Sequence, residues 1–140
     1  MRLPKIRRRL LPAVAGDFPV VTSDSTGLAV LRQWVRKFSA AYATHGTVLR
    51  TLISSNASME IFSDGLQLFY SIIESMTTGM TAAAEAAGHH QENAELTAFA
   101  CLMMLERVNF VMTTEVQLPE DLMADKIADI MFAAFGLVIP

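Results

Sequence analysis

The sequence predicts an all-α fold. Three observations point there. Apolar residues recur at spacings of three and four along most of the chain, and no segment shows the apolar–polar alternation of a half-buried strand. Glycine and proline together make up 12 of 140 residues, too few to punctuate many short strands. About five main helices are expected within residues 24–140, behind a basic segment and loop at 1–23. The 15.3 kDa mass suits one domain. With 52% apolar residues the chain has enough hydrophobic surface to offset the entropy of ordering it, which excludes a disordered polymer.

Residues 1–11 form a basic end, with Arg2, Lys5, Arg7, Arg8 and Arg9. Pro12, Gly16 and Pro19 break any helix there. The apolar stretch Leu10–Ala15 is short and contains Pro12, unlike a secretory signal, and no apolar run has the roughly 20 residues of a membrane span. The first main helix is expected over 26–43. Ser23, Asp24, Ser25 and Thr26 are candidate caps, and Leu31, Trp34, Val35, Phe38 and Tyr42 form its apolar stripe. Thr44-His45-Gly46 should interrupt it before a short helix over 48–53.

A long helix is expected over 58–87. Its stripe runs from Ile61 through Phe69 and Ile73 to Met80, and Gly88 is suited to end it. Gly65 and Thr77-Thr78-Gly79 are candidate bends. Asn93 then caps a helix over 94–115 that is apolar on two sides, so both must be covered. Pro119 opens the last helix, Glu120 and Asp121 sit at its favourable dipole end, and Gly136 closes it.

The chemical candidates are few. His89, His90 and Glu92 are adjacent in a polar link, a poor arrangement for a metal, which wants ligands on one face. No metal or cofactor is expected. Cys101, the single cysteine, reads as a small buried hydrophobe and fits a reducing, cytoplasmic setting. With no nucleophile elbow and no phosphate-cradling glycine loop, the chain is not expected to be an enzyme. Residues 10–140 hold 6 basic against 14 acidic groups, a balance of −8, so no direct nucleic-acid binding by this chain alone is expected.

Glu106, Arg107 and Asn109 interrupt an otherwise apolar helix. Arg107 is read as pairing at the rim or reaching solvent. Glu106 and Asn109 admit two readings: rim groups paired with neighbours, or polar groups that orient a ligand in a cavity. A cavity of at least ~300 Å³ is expected between helices 26–43, 58–87 and 94–115. Its expected lining is Trp34, Phe38, Tyr42, Phe62, Leu66, Phe69, Tyr70, Ile73, Met103, Glu106, Asn109 and Phe110. A second apolar face, Cys101, Met104, Leu105, Val108 and Met112 with Met123, Ile127, Ile130, Met131 and Ala134, is expected to pair with another copy of the chain as a four-helix bundle.

Three stretches are similar to the C-terminal regulatory domain of the tetracycline-repressor (TetR/AcrR) family of transcriptional regulators. They are Leu31–Phe38 running into Tyr42–Leu52, Leu102–Phe110 with its Glu106-Arg107 pair, and the closing Pro119–Phe135 helix with Ile127-Ala128-Asp129-Ile130-Met131. The resemblance covers about residues 24–136. It implies a ligand-binding, homodimeric regulatory module. The 23 residues before it are too short for the family's three-helix DNA-reading domain, whose helices and turn need more chain. The expected function is therefore binding of a small apolar or amphipathic effector, with dimerisation through the last two helices. The alternative is a helical dimerisation protein with a filled core and no ligand.

Overall fold

The computed structural model describes residues 18–52, 59–114 and 119–140, of which 45–52, 59–66, 68, 113 and 114 by their backbone alone. It is all-helical. The elements are α1 (Ser25–Leu52), α2 (Met59–Ala86), α3 (Ala94–Thr114) and α4 (Glu120–Ala134), with no strand among the described residues.

Asp24 settles where α1 begins. Its carboxylate accepts from the Gly27 amide at 3.0 Å and from the Thr22 hydroxyl, occupying a donor that the first turn would otherwise leave unmet. Both bonds favour the charged carboxylate and pull the Asp24 pKa below its ordinary value, the Thr22 bond most. The break expected at Thr44-His45-Gly46 is absent: α1 runs on as one helix through these residues to Leu52. A lone helical glycine costs only about 1 kcal/mol relative to alanine, too little by itself to end a helix. Likewise α2 continues through Gly65 and Thr77-Thr78-Gly79. There the Thr77 and Thr78 hydroxyls turn back to the carbonyls of Ile73 and Glu74, at 2.7 and 3.0 Å.

The expected terminators act where they were placed. Gly88 and Gly136 adopt φ of +83° and +80°, and after each the next amide reaches back to the helix, His89 to the Ala84 carbonyl and Leu137 to that of Phe132. Gln91, in the link between α2 and α3, donates its side-chain amide to the Phe135 carbonyl at 2.6 Å. That bond satisfies one of the orphan acceptors at the end of α4.

The helices pack chiefly as two pairs, α1 with α4 and α2 with α3, while α1 touches all three others. Leu31, Val35, Met76, Met80, Leu105, Met131 and Phe132 are wholly buried at their junction. A ladder of ion pairs sets the register of α1 against α4. Arg32 meets Asp129 at 2.8 Å, and Arg36 meets Asp125 at 2.8 Å with Asp121 further off at 3.8 Å. Partners four residues apart on each helix run in opposite order, so the two helices are antiparallel.

Candidate functional site

The row of aromatic side chains on α1 gives the site its shape. Trp34, Phe38 and Tyr42 are four residues apart, so one helix face carries all three. Ring centroids are 5.7 Å apart from Trp34 to Phe38 and 6.4 Å from Phe38 to Tyr42. At one end the Trp34 ring meets Phe18 edge-on at 4.9 Å. At the other, the Tyr42 hydroxyl donates to Glu106 Oε1 of α3 at 3.3 Å.

Glu106 is only 7% exposed. A carboxylate in such a place needs hydrogen-bonding partners, because desolvation penalises the charge heavily. Besides Tyr42 it has Arg107, whose Nε lies 3.7 Å from Oε2. The Arg107 side chain itself is 66% exposed and stacks its guanidinium over Phe110 at 4.9 Å. Arg107 thus follows the expectation of a group that pairs at the rim and reaches solvent. Asn109, one helical turn beyond Glu106, is fully buried and donates to the Leu105 carbonyl at 2.7 Å. Two polar side chains of α3 are therefore held inside the protein, one of them joined to α1 across the interior.

Of the expected cavity lining, Trp34, Phe38, Tyr42, Ile73, Glu106 and Asn109 are buried, and Phe69, Met103 and Phe110 are half-buried against the same core. Phe62 and Leu66 have side chains outside the described residues. Tyr70 is a correction. It is 62% exposed and cannot line an enclosed space. The inward face of α2 carries Phe69 and Ile73, and the next residue after Phe69 lies 100° round the helix, toward solvent.

The clefts bounded by described residues include the following, each open on the surface. One of about 630 Å³ follows the basic face of α1 with Asp125; one of about 500 Å³ lies between Phe18–Val20 and α2. A third, of about 310 Å³, lies between α3 and α4 and is lined by Leu96, Thr97, Ala100, Cys101, Met104, Ile130 and Ala134.

No protein family, characterised protein or solved structure matches this chain.

The third cleft belongs to the face expected to pair with a second copy. Cys101, Leu105, Met123, Ile127 and Met131 of that face are already buried within one chain. The bundle's own core supplies the cover that the sequence alone assigned to a partner, with α4 packed chiefly on α1 and α3 chiefly on α2. Met104, Val108 and Met112 are half-buried, and Ile130 and Ala134 are exposed. Leu96, on the same rim and not among the expected residues, is 66% exposed. Periodicity within α3 does not show it, because only its neighbour α4 makes that turn part of the rim. Burial pushes the Cys101 thiol up to about 11, so it is a neutral apolar group at physiological pH. His89, His90 and Glu92 stand exposed, and among the described residues no three His, Cys, Asp or Glu side chains are grouped as a metal would require.

Proposed function

We propose that this chain is the regulatory module of a tetracycline-repressor-like transcriptional regulator. It would take up a small apolar or amphipathic effector where α1, α2 and α3 meet, and pair with a second copy through α3 and α4. The observation that carries the reading is the Tyr42–Glu106 bond, a polar contact inside an aromatic interior. Ligand sites are built this way: mostly apolar walls with a few placed polar groups that fix orientation. The half-buried Met103 beside it is an adaptable side chain that can repack around varied apolar shapes. No helix among the described residues is long and apolar enough to cross a membrane.

The test uses 1-N-phenylnaphthylamine, an apolar dye that brightens in a dry site. Saturable binding at one site per chain, weakened about tenfold by Glu106→Gln or Tyr42→Phe, is the expected result, since one hydrogen bond is worth about that factor. Failure to saturate, or equal binding by the variants, counts against the reading.

A second reading is favoured by the α3–α4 cleft. Its lining is almost wholly apolar, and a helical dimerisation protein with a filled core would present the same surface. A dimer that binds no dye selects this alternative.

A further inference from the structure

We propose that residues 18–22 are a detachable latch, with Phe18 as its plug, closing the Trp34 end of the aromatic row that leads to Glu106. Four observations meet here. First, the Phe18 ring occupies the place of a missing side chain: a Cβ on Gly79 would lie 2.6 Å from it, an impossible contact. Glycine at this turn of α2 is thus a notch cut for the ring. Second, the other side of the ring is the edge contact with Trp34, whose side chain is otherwise enclosed. Among the described residues, Phe18 is therefore what stands between the row and the outside at this end. Third, a cleft of about 500 Å³ already leads to it, lined by Pro19 and Val20 on the latch and by Ser71, Ser75, Thr78 and Ala82 on α2.

The fourth observation is how the segment is held. Among the described residues no backbone hydrogen bond joins 18–23 to the bundle. Phe18 and Val21 turn inward, while Val20 between them is 86% exposed. Among the described residues the attachment is thus two apolar side chains and, at the end next to α1, the Thr22 hydroxyl bond to Asp24, beside a bundle secured by four helices. Segments with few buried contacts and no hydrogen-bonded ladder open well before the whole molecule unfolds. Phe18 leaving its notch would uncover Trp34 and join the outer cleft to the row, Trp34 to Phe38 to Tyr42. Seated, it excludes water from that row.

What the latch admits rests on the ligand reading above, but its release does not. Trp34 is the single tryptophan, so its fluorescence reports the latch directly. The wild-type chain is titrated with urea while Trp34 quenching by acrylamide and the far-UV helix signal are followed together. Quenching is expected to rise about threefold in an early transition, with the helix signal retained until a later one. Gly79→Val fills the notch and expels the intact ring. It should give the high quenching already in buffer, with the helix midpoint nearly unchanged. Phe18→Ala, which strains nothing, should do the same. Coincident transitions in the wild type overturn the proposal. So does a Phe18→Ala chain in which quenching stays low, or one whose helix signal falls with it. Acrylamide needs no ligand pocket, so an early transition in a chain that binds no dye refutes the ligand reading alone.

Discussion

Arg36 grips Asp125 with two parallel bonds, Nε to Oδ1 at 3.0 Å and Nη2 to Oδ2 at 2.8 Å, which ties the middle of α1 to the first half of α4. The fork geometry matches carboxylate to guanidinium and fixes orientation as well as distance. The Asp125 bond also raises the Arg36 pKa above its ordinary value. Because the pair is open to solvent, its contribution is register more than stability. Asp125→Ala with Asp129→Ala should lower the melting temperature by only a few degrees in dilute buffer. In about 1 M salt, where the Debye length shrinks to roughly 3 Å, the variant and the parent should melt almost together. A loss that persists at high salt would mean that packing, not charge, is at stake.

Tyr42→Phe removes the hydroxyl that Glu106 accepts and changes nothing else in size. The buried carboxylate then loses a partner, and a group left short of hydrogen bonds in the interior costs about 1–3 kcal/mol. Urea unfolding at neutral pH should show that loss. The double variant Tyr42→Phe with Glu106→Leu should recover part of it, since an apolar pair of similar shape has no charge to satisfy.

Gln91→Ala should cost about 1 kcal/mol, the usual net worth of one hydrogen bond. The loss should be local: amides in the last turn of α4 should exchange with solvent faster, while those of α2 are unaffected. Gly136→Ala should cost at least as much. It forces a side chain into a left-handed backbone and brings Cβ to 3.0 Å from the Gln91 amide.

The pH dependence of Cys101 has a definite sign. In the unfolded chain the thiol ionises at its ordinary value of 9.0; buried in α3 it does so only near 11. The native state therefore holds its proton over a range where the unfolded state has released one. Stability should fall as pH rises from 9 toward 11, and be indifferent to this group below 9. In a Cys101→Ala variant that part of the slope should vanish. The native thiol should also resist a disulfide reagent at pH 8 until denaturant is added.

For assembly, static light scattering should give about twice the 15.3 kDa chain mass at micromolar concentration. Ile130→Asp places a charge on the exposed rim of the α3–α4 cleft, where the monomer itself loses little. It should halve the mass without changing the helix content. A wild-type mass of one chain would remove dimerisation from the reading.

Much of this architecture was legible in the chain. The stripe Leu31–Trp34–Val35–Phe38–Tyr42 shows a helix and its inward face, and Gly88 and Gly136 show where helices stop, because these are properties of neighbours a few residues apart. The same local logic singled out Glu106 and Asn109 as polar residues in an apolar helix. What it could not show was that Glu106 would meet Tyr42, 64 residues away in sequence. Nor could it weigh the glycine at 46: its local cost is readable, but whether the rest of the helix exceeds it is not.

The helical class, the number of long apolar stripes and the polar interruptions of α3 follow from the sequence alone, since periodicity and propensity act within one or two turns. Tertiary structure decided the rest. Whether Leu105 and Met131 face a partner chain or the core of their own bundle, whether Tyr70 points in or out, and why residue 79 is glycine depend on which helix lies against which. Phe18 and Gly79 have no relation in the sequence. They acquire one because the segment before α1 crosses α2 at a turn where no Cβ stands in the way.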